Sequence, residues 1–227
     1  MKALNLFTQH LPTFLKALAI TTYVTVISLI FATLIGIVFG LFKISKKKPL
    51  VLAANFYLSI IRGTPLLVQT LFIYFGLPMA LGFRWPWATF YWRSQPILAA
   101  IVIMSLNAGA YMTELVRGGI ESVDPGQMEA ARSLGMSYGQ AMVQVVMPQA
   151  LRTMLPSIVN QFIVTLKDTS LLSMIGLREL VQNAKIIVAN NMEALTMYAI
   201  VGLFYWVIVT LLSSAASNLE RRTTYGK

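Results

Sequence analysis

The stretch Ser122–Pro156, SVDPGQMEAARSLGMSYGQAMVQVVMPQALRTMLP, is the largest water-compatible segment in a chain that is otherwise apolar enough to sit in lipid. It reads as two short helices in series. Asp124 suits the N-cap of the first, Pro125 its first helical position, and Gln127 is placed to complete a capping box. Gly135 is placed to end that helix in a left-handed turn. Ser137 and Gln140 repeat the box for the second helix, and Pro148 and Pro156 are expected to interrupt the path back into the apolar region. A capped helix held between two membrane spans is a docking element, provided that it is rigid and that a partner grips it. The alternative is an ordinary amphipathic loop helix lying on the membrane surface.

The composition supports a membrane setting. The 227 residues are 57% hydrophobic and only 11% charged, against about 25% charged in a soluble domain. There is no cysteine, which excludes disulfides and thiol chemistry. The net charge of +10 could suggest nucleic acid, but the basic residues flank apolar runs, which fits membrane orientation better. The first apolar run extends to Phe42, far beyond a signal-peptide core, so it is expected to stay in the protein as a span.

Working outward, five stretches pass the test for a spanning helix of about 20 residues: 15–42, 56–81, 96–116, 156–175 and 194–216. The expected fold is therefore an all-α bundle of five transmembrane helices in a single domain over 1–227, with a coupling segment at 122–155 on one side. Charge sets the direction. One side holds Lys43, Lys46, Lys47, Lys48, Arg117, Arg132, Arg152, Arg221, Arg222 and Lys227, and the other holds Lys2, Lys16, Arg84, Arg93, Arg178 and Lys185. The richer side is expected to be cytoplasmic. That puts the N-terminus outside, and the C-terminus and the coupling segment inside.

Several residues inside the spans are not lipid-like. Gly36 and Gly40 stand at GxxxG spacing and suit close helix approach, either in a subunit contact or, preferably, in internal packing. Arg62-Gly63-Thr64-Pro65 loosens the second span, where Thr64 is placed to satisfy a freed carbonyl and Arg62 to snorkel to the headgroups. Trp85, Trp87, Tyr91 and Trp92 in the loop 82–95 suit an interfacial aromatic belt or the seat of an external protein partner. Asn107 and Tyr111 share a face of the third span at i, i+4. Asn107 serves either as an interhelical hydrogen bond or as a substrate contact. Lys167, Asp168, Thr169 and Ser170 are the most informative group. About eleven residues beyond Pro156, at about 1.5 Å each, Lys167 is expected near the bilayer centre. Intramembrane charges of this kind serve either a structural pair or a transport path. A ligand that carries one ammonium and one carboxylate would find a complement to each in Asp168 and Lys167. Arg178–Asn191 is expected to be an outer loop.

Other classes find no support. There is no phosphate loop, no Cys/His metal cluster, no nucleophile–His–acid set and no Gly-rich dinucleotide turn. No catalytic residues, metal or cofactor are expected in the chain, and active transport would draw its energy from another subunit. A membrane enzyme lacks its catalytic set. An ion-gradient-driven secondary transporter or channel would usually show more spans and an internal repeat.

Glu129-Ala130-Ala131, Gly135, Val145 and Met147-Pro148 resemble the EAA signature of permeases in importers powered by ATP-binding cassettes. That signature runs Glu-Ala-Ala, three residues, Gly, nine residues, Ile, one residue, Leu-Pro. The spacing is kept, with Val145 for Ile and Met147 for Leu. Arg62-Gly63-Thr64-Pro65, Asn107-Ala108-Gly109-Ala110-Tyr111, Glu114 and Lys167-Asp168-Thr169-Ser170-Leu171 extend the likeness, which is greatest to the glutamine-type polar amino acid permeases. The resemblance implies a type I importer permease fold in the bacterial cytoplasmic (inner) membrane. It implies a second permease subunit, identical or paralogous, and an external or periplasmic amino acid binding protein. It also implies an ATP-binding cassette dimer, holding ATP-Mg, that grips Glu129, Ala130, Ala131, Arg132 and Gly135. Glu129 and Arg132 would make polar contacts to that ATPase, and the alanines would allow close approach.

Overall fold

The computed structural model describes residues 2–90 and 93–224. Its axis is a pair of long helices, α1 (Lys2–Lys43) and α5 (Ile97–Glu121). They run parallel: Ser28 Oγ donates to the Ile101 carbonyl at 3.4 Å, Ile35 flanks Gly109, Gly36 meets Met112 and Gly40 meets Val116. A Cβ at Gly36 would lie 2.5 Å from Met112 Cβ, and one at Gly40 would lie 2.7 Å from Val116 Cγ1. The GxxxG pair therefore packs within the chain, where its missing side chains let the two axes approach.

Between these helices the second span is broken. α2 (Lys48–Gly63) is followed by α3 (Leu66–Leu71), a π turn over Phe72–Gly76 and α4 (Leu77–Leu81). The two halves are bent by 103°. Pro65 is the cause: it removes an N–H donor and forces Thr64 into extended backbone, with φ −125° and ψ 144°. Thr64 Oγ1 donates to the Ile60 carbonyl at 2.8 Å, as its position suggested, and Gln69 Nε2 donates to the Ile61 and Thr64 carbonyls at 2.7 and 3.0 Å. The second span expected over 56–81 thus starts earlier, at Lys48, and is two rods rather than one.

A short antiparallel hairpin, β1 (Ala88–Phe90) with β2 (Arg93–Gln95), closes the far end of the bundle, its register pairing Ala88 with Gln95. It is the one departure, among the described residues, from an all-helical chain. Trp85 Nε1 donates to the Ile73 carbonyl at 3.0 Å, while Trp87 is exposed. Tyr91 and Trp92 of the expected aromatic belt lie outside the described residues.

After α5 come α6 (Pro125–Ser133), α7 (Tyr138–Ala141), a π turn over Met142–Val146, and α8 (Met147–Asp168). Pro148 and Pro156 do not interrupt this path. Pro148 sits in the first turn of α8, where the π turn has shifted the ladder so that Met147 N–H reaches the Met142 carbonyl. A proline at a helix start removes a donor that had no partner there. Pro156 lies inside α8, and the helix continues through it. α8 runs antiparallel to α5, with Met154 against Gly119, Ile158 near Met112, and Leu172, just beyond the helix, beside Ile97 and Ile101. A 3-10 segment (Thr169–Ile175) leads to α9 (Leu180–Asn191) and α10 (Ala194–Thr224). The expected outer loop 178–191 is therefore mostly helix. Its start carries a cap the sequence reading passed over, Glu179.

Among the described residues, three helices are long and apolar enough to cross a membrane, Leu4–Lys43, Ile97–Glu121 and Ala194–Ser217, and the bent pair makes a fourth candidate. α8 with its 3-10 extension is the stretch from which a fifth span was expected, and it does not meet that length-and-hydropathy standard. The core is layered along the bundle. Ile20, Val24, Ile97, Met104 and Leu172 pack near the hairpin end, while Val116, Ile120, Val146, Ala150 and Met154 pack near the opposite end.

Candidate functional site: the coupling segment and the polar lining of the bundle

The coupling segment is built from local chemistry. Asp124 caps α6, accepting from Gly126 N–H at 2.8 Å, and Pro125 takes the first helical position. Gln127 does not close a capping box. Its Oε1 accepts from Gln149 Nε2 at 3.3 Å and so ties α6 to the start of α8. Gly135 has φ +86°, and Gly135 and Met136 N–H donate to the Arg132 and Ala131 carbonyls at 3.0 and 3.2 Å. These two bonds satisfy the helix end in a Schellman turn. Ser137 and Gln140 form the reciprocal box as expected: Ser137 N–H donates to Gln140 Oε1 at 2.8 Å, and Gln140 N–H to Ser137 Oγ at 3.3 Å.

The two alanines do not share a role. Ala131 is 4% exposed and faces its own chain, so it cannot give a partner close approach. Glu129, Ala130, Arg132 and Leu134 are exposed. Leu134, at 85% exposed, is the most open large apolar residue of this segment. The segment is seated by Val123, Met128 and Met142, which pack with Ile44 on the Val116–Ala150 layer. Ile44 belongs to the Lys43–Lys48 loop, so that loop and the coupling segment occupy the same end of the bundle.

A charge cluster lies just above. Glu114 of α5 is 2.8 Å from Arg117, 3.6 Å from Arg62 and 3.7 Å from Lys43, and so joins α1, α2 and α5. Arg62 also stands 5.9 Å over the Tyr111 ring. Arg62, expected to snorkel to the headgroups, also finds a protein partner in Glu114. Higher on α5, Asn107 is 7% exposed and its Nδ2 donates to Gln69 Oε1 at 3.0 Å. Asn107 is thus spent on holding the residue that clamps the break between α2 and α3. That is the interhelical role, and the site does not bring Asn107 together with the other candidates. Tyr111, four residues on, is 40% exposed.

Lys167 and Asp168 end α8. Lys167 is exposed and Asp168 half-buried, and among the described residues neither forms an ion pair. α8 passes Gly119 at Met154 and reaches the level of Ile97 by Leu172. Lys167 therefore lies between these two levels, a little past the middle of α5 on the side of the hairpin. Thr169 is fully buried, and its hydroxyl donates to the Leu166 carbonyl at 2.6 Å. Ser170 is half-buried. Below Lys167, α8 exposes Thr153, Ser157 and Asn160 at spacings of four and three residues, one helix face. Thr153 and Ser157 share a cavity of about 200 Å³ with Glu114 and Gly118 of α5. Reading for charge alone missed this stripe. The signal was present as polar residues recurring at helical spacing.

Glu179 was missed as well. It is fully buried at the start of α9 and accepts from Val181 and Gln182 N–H at 2.8 and 2.7 Å and from Tyr205 of α10 at 3.4 Å. Burial pushes its carboxyl up to about 7, against the pull of those donors and of Lys185. Lys185 Nζ donates to Ser173 Oγ at 2.9 Å. Glu179, Tyr205, Lys185 and Ser173 thus tie the 3-10 segment, α9 and α10 together. The legible sign of this cap was an acidic residue immediately before an apolar helical run. No group of three His, Cys, Asp or Glu side chains able to hold a metal occurs among the described residues.

A family model described as "Binding-protein-dependent transport system inner membrane component" matches residues 32–225. The chain is 39% identical over 213 residues to the arginine transport system permease protein ArtQ of Bacillus subtilis (strain 168), covering 94% of this chain and 93% of ArtQ. It is 36% identical over 212 residues to the glutamine transport system permease protein GlnP of Escherichia coli (strain K12), covering 93% of each. A crystal structure of an amino acid ABC transporter with histidines superposes with a TM-score of 0.85 at 38% identity, covering 95% of this chain and 96% of that one. An inward-facing MetNI methionine ABC transporter superposes with a TM-score of 0.76 at 18% identity, covering 95% and 98%, a likeness of fold alone.

Proposed function

The chain belongs to the family of binding-protein-dependent transport system inner membrane components, and from that membership we propose that it is the permease of a polar amino acid importer, coupled through Glu129–Gly135 to a separate ATPase. The carrying observation is the coupling segment. Asp124, the Schellman turn at Gly135 and the Ser137–Gln140 box make it stiff, Ala131 and Met128 seat it on the bundle, and Glu129, Ala130, Arg132 and Leu134 face outward. A stiff element pulled from outside moves the helices it is seated on, and ATP-driven closure of a gripping ATPase dimer would bias the bundle between two states. The Lys43–Lys48 loop at the same end supports a cytoplasmic location for this segment, with the N-terminus outside. α8 serves as the fifth span, its polar stripe turned from lipid toward a second permease copy and a water-filled path. The external binding protein would deliver substrate at the hairpin end.

Asp168, with Lys167 beside it, is the best candidate contact for the substrate ammonium. Both lie at the outer end of the stripe without an ion-pair partner among the described residues, whereas Asn107 and Thr169 are spent on internal hydrogen bonds. Uptake of labelled amino acids by the reconstituted complex tests this. Asp168→Asn is expected to lower uptake while the subunits still co-purify and hydrolyse ATP. Unchanged affinity and rate in assembled Asp168→Asn and Lys167→Met would remove both residues from the path. Failure of any ATPase subunit to co-purify would remove the coupling reading itself.

A further inference from the structure

The loop between α1 and α2 carries Lys46, Lys47 and Lys48. Lys43, just before it, is already engaged: its Nζ donates to Asn55 Oδ1 at 2.8 Å and lies 3.7 Å from Glu114. Lys46 and Lys48 are exposed and have no acidic partner among the described residues. They line a hollow of about 710 Å³ with Asn55, and its apolar walls are Val51 and Leu52. From that hollow an apolar row runs along α2. Leu52, Phe56 and Ile60, at four-residue spacing, are 70%, 68% and 47% exposed, while Ala54, Leu58 and Ile61 are buried on the other side of the helix.

We propose that this hollow binds an anionic phospholipid, with the headgroup phosphate between Lys46 and Lys48 and an acyl chain along Leu52, Phe56 and Ile60. Two uncompensated ammonium groups call for an anion, and an exposed apolar row that begins at the same hollow calls for hydrocarbon. A soluble anion would leave the row uncovered, and a neutral lipid would leave the charges unbalanced. An anionic lipid satisfies both with one molecule. This assignment needs only that the chain sits in a membrane, and it stands or falls separately from the coupling reading.

The test uses the permease–ATPase complex in nanodiscs that mix phosphatidylglycerol with phosphatidylcholine. Native mass spectrometry counts the phosphatidylglycerol retained after detergent exchange. Lys46→Gln with Lys48→Gln is expected to weaken retention about thirtyfold, each lysine contributing about a factor of five near an anionic surface. Lys46→Arg with Lys48→Arg is expected to keep it. Leu52→Ser with Phe56→Ser is expected to weaken retention too. Equal retention in the Gln pair overturns the proposal. Displacement of the lipid by inorganic phosphate, with no effect of the Ser pair, makes this a soluble-anion site and overturns it as well. Loss of the ATPase from the Gln pair with lipid retained makes it a protein contact, again against the proposal.

Discussion

Gly135 offers a test that separates strain from contact. Its φ of +86° lies in the left-handed region, yet a Cβ built there meets nothing within 4 Å. In the isolated chain the cost of any ordinary side chain is therefore conformational and nearly independent of size, about 1–2 kcal/mol. That corresponds to an about 5- to 30-fold loss in the population of the native turn. Asn, which tolerates this region better, should cost less. Thermal unfolding of the purified permease should thus rank Gly above Asn above Ala, with Ala and Leu equal. In the assembled transporter a gripping ATPase adds a size limit. ATP-driven uptake per ATP hydrolysed in proteoliposomes should then fall further for Gly135→Leu than for Gly135→Ala. Full coupling in Gly135→Leu would refute the lever, and a Leu variant far less stable than Ala in the isolated chain would refute the open space around the turn.

Three further outcomes follow from the packing. Gly36→Val should force α1 from α5 against Met112 and cost about 1–3 kcal/mol as overpacking, read as a lower midpoint in detergent. Gln69→Leu leaves the Ile61 and Thr64 carbonyls and Asn107 Nδ2 without their partner, and should destabilise by about 1–3 kcal/mol. Asn107→Ala leaves the Gln69 clamp in place and should cost less, with hydrogen exchange faster at the break only in the Gln69 variant. Glu179 is held neutral by burial to about pH 7, above its ordinary value, so the folded state binds the extra proton between about 4.5 and 7. Its contribution is present at low pH and is lost as pH rises through about 7. The melting temperature of the wild type should fall across that interval, and Glu179→Gln, lower at its start because one N–H acceptor is gone, should show a flatter profile. Parallel slopes would show that another group titrates there.

The local chemistry was legible in the sequence. The Asp124 cap, the Gly135 turn, the Ser137–Gln140 box and the break at Pro65 each depend on a few adjacent residues, and each formed where those residues pointed. The long apolar runs marked α1, α5 and α10 for the same reason, since one helix carries its own length and hydropathy. The partners of polar residues inside the bundle were not legible. Asn107 meets Gln69 across 38 positions, and Glu114 gathers cations from two other helices. Ala131 turned inward while Ala130 did not, because the seating of α6 on Ile44 and Val146 chooses the face. Pro148 misled because a π turn can absorb a missing donor, and that shift in the ladder leaves no mark at the proline itself, whereas α8 simply continues through Pro156. Sequence alone thus determined which segments suit lipid and where short helices begin and end. Only the tertiary structure decided which polar groups are used up and which stay open, because hydrogen bonds and ion pairs are settled by distances between residues that the chain keeps far apart.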